Sequence, residues 1–289
     1  MSSDWLGWGG VAVPEAHGGS GLGYLTLGLI VEQTGRHLGA SPLAASAVAA
    51  DALVLAGSEA IRDAWLPRLL SGEAVGALAV DEGARHDPEV IATTAERTAD
   101  GWRLNGTKRF VAEGMGADLL IVAARTDGGV ALFAVDAAAE GVSRTARRLT
   151  DARGHADVGL LNVAVGHDAR LNSADGDAAL IEALLDRARA LSAAELLGLS
   201  LAAFDMTLEY LKTRVQFDRI IGSFQALQHR AADLHTRLEL TRSAVAAALN
   251  AVEADAPDRA LLVSRAKATA SDTANLATRE MIQMHGGIG

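Results

Sequence analysis

The sequence predicts an α+β protein of several domains: a helical N-terminal layer, a central antiparallel β-barrel or sandwich, and a C-terminal helical bundle. Three observations carry this. Apolar residues recur at helical spacing up to about residue 73, shorten to strand-length runs across residues 74–172, and return to helical spacing across 173–289. The turn signals Asp100-Gly101, Asn105-Gly106 and Asp127-Gly128-Gly129 separate the strand-length runs of the middle segment. At 289 residues the chain is long enough to bury a sizeable core and to divide into domains.

Each element follows from its local pattern. Between Leu25 and Leu70 the spacing gives about three helices, with Ser41 before Pro42 and Ser58 before Glu59 as start signals. Strands are expected at Ile91 to Thr94, Trp102 to Leu104, Leu119 to Ala123 and Val130 to Val135. Helices then end near Arg214, near Asp255-Ala-Pro257 and at His285-Gly286-Gly287, where glycine or proline stops the pattern. Alanine is abundant throughout, as close helix packing favours. No internal repeat or low-complexity linker is present.

Composition excludes several classes. The net charge of −10 disfavours a sequence-independent grip on nucleic acid or anionic membrane, so phosphate ligands require local arginines. With no cysteine there is no disulfide framework, thiolate nucleophile or zinc–thiolate site, and a cytoplasmic location is expected. The first residues lack a basic region followed by an apolar one, and no uninterrupted apolar stretch reads as long enough to span a bilayer. His229 and His235 form no His-Glu-x-x-His motif, so no metal site is expected. Ser20 lies outside a Gly-x-Ser-x-Gly elbow. The basic run Arg144, Arg147 and Arg148 reads as a solvated face, with CoA phosphates as the other reading.

The most informative segment runs from Arg214 through Phe217 and Gly222 to Gln225 and Gln228. From its residues alone it is either a helix-to-helix turn with Phe217 and Phe224 in the core, or a phosphate-binding loop in which the planar Arg214 guanidinium offers two parallel donors. The segment resembles the flavin-contacting loop of acyl-CoA dehydrogenases. Four further passages, in that family's order, carry the same resemblance. They are Val13-Pro14-Glu15 through Gly23, Leu66-Pro67 through Glu82, Leu104-Asn105-Gly106 through Val111, and Gln283-Met284-His285-Gly286-Gly287. The run around Tyr210, Arg214 and Phe217 is similar to that of actinobacterial members built from mixed pairs of subunits, and an arginine excess over only Lys108, Lys212 and Lys267 agrees with such a source.

The resemblance implies FAD as cofactor, held by Arg214, Phe217, Gln225, Gln283, Gly286 and Gly287, with Phe110 beside the flavin ring. It also implies an acyl-CoA substrate oxidised to the trans-2-enoyl-CoA, an electron-transferring flavoprotein as acceptor, a second subunit of the same family, and a dimer or tetramer. The reaction needs a carboxylate that removes the α proton, and here the chain departs from the pattern. One family position for it lies beyond Gly289, and the other is Ala188, which takes no proton. The catalytic residue is therefore unknown, and a partner chain is expected to supply it. Glu195, two helical turns after Ala188, reads as a structural carboxylate more readily than a catalytic one, and Asp186 and Glu182 as a solvated face. The flavin side also differs: Val80 through Asp87 lacks the family's hydroxyls, and Ala112 replaces the threonine beside the ring. A noncatalytic structural subunit or fragment without its own FAD, truncated at both ends, is the alternative. Oxygen chemistry on the same fold is a third.

Overall fold

The computed structural model describes residues 7–289. Residues 1–6, which bear on the expectation of no leader, lie outside the described residues. Six helices and nine strands follow: α1 (Gly23–Arg36), α2 (Leu43–Ala56), α3 (Glu59–Ser71), β1 (Gly76–Ala79), β2 (Thr94–Arg97), β3 (Gly101–Val111), β4 (Leu119–Thr126), β5 (Gly129–Asp136), β6 (Val142–Ala146), β7 (Ala156–Gly166), α4 (Asp177–Thr213), β8 (Val215–Gln216), β9 (Arg219–Ile220), α5 (Gln225–Glu253) and α6 (Arg259–His285). The order of helices, sheet and helices is the one the sequence predicts.

The described chain forms two compact units. One contains Ala40–Ala188 together with the preceding N-terminal segment, and the other contains Tyr24–Gly39 and Arg189–Gly289. In the first unit the Ser58 hydroxyl caps α3 by accepting the Ile61 N–H at 3.2 Å, and the Ser41 hydroxyl accepts the Leu43 N–H at 3.3 Å ahead of α2. The large sheet has the order β1-β4-β2-β3-β7-β6, with β5 on β4. Its core is the inward row of Leu104, Val111, Leu120, Val122, Phe133, Val135, Val158 and Val163, and Trp102 meets Phe133 edge to face at 5.4 Å.

Two details correct the sequence reading. The sheet is mixed, because β1 runs parallel to β4 with Gly76 opposite Leu119 and Ala79 opposite Val122. A parallel pair needs a long crossover, and the β2–β3 hairpin inserted between them supplies it. The strand expected from Ile91 begins only at Thr94. The reason is local: the Glu82 carboxylate takes the Ala92 and Thr93 N–H groups at 2.6 and 3.0 Å, which removes them from any ladder.

In the second unit α1 crosses α4 backbone to backbone. A Cβ on Gly198 would stand 1.9 Å from the Glu32 carbonyl oxygen, and one on Gly35 would stand 2.1 Å from that of Glu195, so only glycine permits this approach. Long α5 and α6 pack along each other, joined by a buried hydroxyl pair, Thr241 and Thr273, at 2.8 Å. Against expectation, α4 is long and apolar enough to cross a bilayer by length and composition. However, 56% of its most apolar stretch is buried inside the protein, the pattern of a core helix.

Candidate functional site

In the helical unit α4 ends at Thr213 and the chain folds into a two-residue hairpin. Val215 pairs with Ile220 and Gln216 with Arg219, while the Arg214 carbonyl accepts the Ile221 N–H at 2.9 Å and closes the base. Phe217 and Asp218 form the turn, at φ 54° and 59°. Positive φ at both central positions is the type I′ geometry that Asn-Gly adopts readily and phenylalanine does not. The Phe217 ring is 83% exposed and touches Phe224 edge to face at 6.0 Å. The ring thus stands outside the core, on a backbone conformation uncommon for phenylalanine. The expectation that Phe217 might be core is thereby overturned.

Neighbouring residues fix this loop. The Arg219 guanidinium lies 3.9 Å from the Phe224 ring centroid, and Gln228 Nε2 donates to the Gly222 carbonyl at 2.9 Å. Arg214 itself is exposed, and among the described residues its guanidinium makes no hydrogen bond or ion pair. Gln225 opens α5, whose N-terminus has no side-chain cap; uncapped N–H groups and an available arginine both favour an anion.

The C-terminal segment comes to the same region of this unit. The His285 ring stacks on Tyr210, four residues before Arg214, with centroids 4.3 Å apart and planes at 21°. Its Nδ1 lies 2.7 Å from the Met281 carbonyl, so that nitrogen carries the hydrogen. Gly286 follows at φ 68°, ψ −135°, a conformation open to glycine alone. Gln283, Gly286 and Gly287 are exposed. The structure thus brings Arg214, Phe217, Gln225, Gln283, Gly286 and Gly287 into one end of the helical unit.

Phe110 lies in the sheet unit. Its backbone is left-handed at φ 51°, its N–H donates to Asp157 Oδ1 at 3.3 Å, and the Arg147 guanidinium stands 5.8 Å from its ring centroid. Arg147 also makes a short contact with Asp157, whose carboxyl is held below the usual aspartate value first by that hydrogen bond. Phe110 is 41% exposed and is not part of the core of the sheet. Arg144 is equally engaged, donating to the Met115 and Ala117 carbonyls at 3.0 and 2.9 Å.

Beneath this face lies a pair that sequence reasoning missed. Lys108 is fully buried, and its ammonium donates to Glu82 at 2.6 Å and to the Val80 carbonyl at 3.0 Å. Burial pushes the Lys108 ammonium down against the pull of Glu82. For Glu82 burial acts upward, but the hydrogen bonds from Lys108, Thr93 and Ala92 outweigh it and hold the carboxyl below its ordinary value. The pair ties the segment after β1 to the strand bearing Phe110. Next to Glu82, Asp81 accepts the His86 Nδ1 at 2.9 Å and the Asp87 N–H at 3.1 Å, while its carbonyl accepts the Arg109 N–H at 2.7 Å. The available signal was spacing: Leu104 and Lys108, four residues apart on one strand, share an inward face.

No base stands at position 188, since Ala188 is a half-buried methyl on α4. Arg187 pairs with Asp51 of α2 at 3.4 Å. Asp186, expected on a solvated face, is only 1% exposed. Glu182 is exposed as expected, and Glu195 is half-buried where α1 crosses.

These features meet known proteins at one place. Residues 4–73, 77–163 and 175–289 match the N-terminal, middle and C-terminal domains of acyl-CoA dehydrogenases. The chain belongs to the acyl-CoA dehydrogenase family. It is 36% identical over 255 residues to isovaleryl-CoA dehydrogenase of Pongo abelii, covering 83% of this chain and 60% of that protein. It is 34% identical over 293 residues to acyl-CoA dehydrogenase FadE27 of Mycobacterium tuberculosis, covering 96% and 74%. Among solved structures, a glutaryl-coenzyme A dehydrogenase in complex with glutaryl-CoA superposes with a TM-score of 0.91 at 27% identity, covering 98% of this chain and 75% of that one. The ChsE4–ChsE5 complex of M. tuberculosis gives 0.86 at 32%, covering 98% and 76%. The chain spans about three fifths of the length of the isovaleryl-CoA dehydrogenases it matches.

Proposed function

We propose that this chain works within an FAD-dependent acyl-CoA dehydrogenase that oxidises an acyl-CoA thioester to the trans-2-enoyl-CoA, and that a partner chain of the same family supplies the catalytic base. The observation that carries the cofactor half is the exposed, strained Phe217 hairpin, with Arg214 at its base and the Gln283–Gly287 segment docked on Tyr210. Membership of the family supports the chemistry. Ala188 in place of a carboxylate motivates the partner.

The residues present fit the cofactor. Arg214 would hold the pyrophosphate with two parallel donors, helped by the uncapped N–H groups at Gln225. Phe217 would give the cofactor an aromatic wall, Gln283 an amide, and Gly286 and Gly287 a backbone that admits close approach. Phe110 is proposed as a separate contact from the sheet unit. FAD, when bound, supplies the hydride acceptor. Removal of the α proton needs a carboxylate with a raised affinity for protons in a dry site, and position 188 offers a methyl group. Reoxidation by an electron-transferring flavoprotein completes the proposal, and a dimer or tetramer with the partner is its expected assembly.

The test is acyl-CoA oxidation with an artificial electron acceptor, by the chain alone and by the complex co-purified with a family member that carries the glutamate. Activity is expected only from the complex and only while the partner's glutamate is intact. Full activity from the isolated chain would sink the partner-base reading. Oxygen consumption without an added acceptor would point instead to oxygen chemistry. A second reading, a structural subunit without FAD, is favoured by Val80, His86 and Ala112 standing where hydroxyls were expected; it predicts no flavin in either preparation.

A further inference from the structure

The end of the sheet far from Phe110 holds a cleft that the proposed chemistry does not use. Trp102 and Phe110 are eight positions apart on β3, roughly 26 Å at 3.3 Å per residue. The cleft, of about 250 Å³, is lined by Arg97, Trp102, His167, Arg170 and Asn172. Arg97 and Trp102 are cross-strand partners on β2 and β3, so their side chains share one face. His167 follows β7, and its Nε2 lies 3.2 Å from the Ala99 carbonyl, which leaves Nδ1 on the other side of the ring.

The donors in the cleft exceed the acceptors. Arg170 gives one Nη to Asn172 at 2.9 Å and the other to Asp177 at 2.7 Å, yet its buried Nε has no hydrogen-bond partner among the described residues. Arg97 is exposed and, among the described residues, its guanidinium has neither hydrogen bond nor ion pair. Arg97 and Arg170 both line the cleft, no carboxylate is among its lining residues, and of the two guanidiniums only that of Arg170 is paired among the described residues, with Asp177, in a chain whose net charge is −10. Planar, weakly hydrated guanidiniums are suited to phosphate oxygens, and the partly exposed Trp102 ring offers a surface on which a flat group stacks. The small volume leaves no room for a dinucleotide.

We propose that this cleft binds a small phosphate monoester bearing a planar ring, its phosphate on Arg97 and its ring on Trp102. The proposal is independent of the reading of the helical unit. Phenyl phosphate, inorganic phosphate and phenol, each titrated calorimetrically into the full chain, test it. Phenyl phosphate is expected to bind saturably and at least tenfold more tightly than inorganic phosphate, with no measurable binding of phenol. Arg97→Ala is expected to weaken phenyl phosphate tenfold or more with an unchanged thermal melt. The accompanying change in tryptophan emission is expected to vanish in Trp102→Phe. Absence of saturation with phenyl phosphate, unaltered affinity in Arg97→Ala, or equal affinity for phenyl and inorganic phosphate would each overturn it.

Discussion

At the scale of single residues, the buried Lys108–Glu82 pair makes the sharpest demands. Lys108→Met strands the Glu82 carboxylate beside two backbone N–H groups, and loss of one member of a buried pair costs about 3–5 kcal/mol. Lys108→Met with Glu82→Gln is expected to recover at least half of that loss in urea unfolding; additive losses would contradict the pairing. The pH dependence follows from the carboxyls. Glu82 and Asp157 titrate in the folded protein below their ordinary values of 4.5 and 3.8. Their contribution to stability is therefore present above those values and is lost as the pH falls through the lower folded ones. Thermal melts are expected to be flat in this respect down to about the ordinary carboxylate range and to fall below it, with a smaller fall in Glu82→Gln. None of this pair was legible beforehand, because a lysine in a hairpin strand carries no sign of its burial except its register with Leu104. Asp186 escaped for a related reason: a charged residue on an amphipathic helix is ordinarily at the surface, and only tertiary packing encloses it.

At the scale of elements, the Phe217 hairpin trades stability for placement. Phe217→Asn is expected to raise stability by a few tenths to about 1 kcal/mol, because asparagine accepts positive φ, while flavin retention in the assembled enzyme falls. A loss of stability without a change in flavin content would show that the ring serves the fold. The α1–α4 crossing predicts a contrast between glycines. Gly198→Ala forces a Cβ to 1.9 Å from the Glu32 carbonyl and is expected to cost at least about 1–3 kcal/mol as overpacking. Gly287→Ala, with nothing within 4 Å and no positive φ, is expected to leave the melt unchanged. Helices α1 to α6 were legible from their recurring apolar residues and their end signals, although α2 buries most of its surface rather than one stripe. The hairpin was not, because β8 and β9 have only two residues each and leave no alternation to read. The parallel entry of β1 was equally hidden: a four-residue strand records which face is buried but not its direction.

At the scale of the whole molecule, this chain keeps the family's order of domains and carries a methyl group at position 188. The order of helical, sheet and helical segments was legible throughout. Of the residues that the resemblance implied for the cofactor, six lie at one end of the helical unit and Phe110 sits on the sheet. What the sequence alone could not convey was their state: an exposed aromatic in a strained turn, an arginine whose guanidinium has no acceptor among the described residues, and an imidazole, next to the last glycines, stacked on Tyr210. The central claim is that these groups hold FAD in an assembly whose base comes from another chain. The most direct measurement is the flavin absorbance of the chain purified alone and after co-expression with a family member carrying the glutamate, each repeated with Arg214→Ala combined with Phe217→Ala. The account predicts flavin bands with the partner, strongly reduced by the double substitution. Absence of flavin in every preparation, or flavin content indifferent to Arg214 and Phe217, would contradict it.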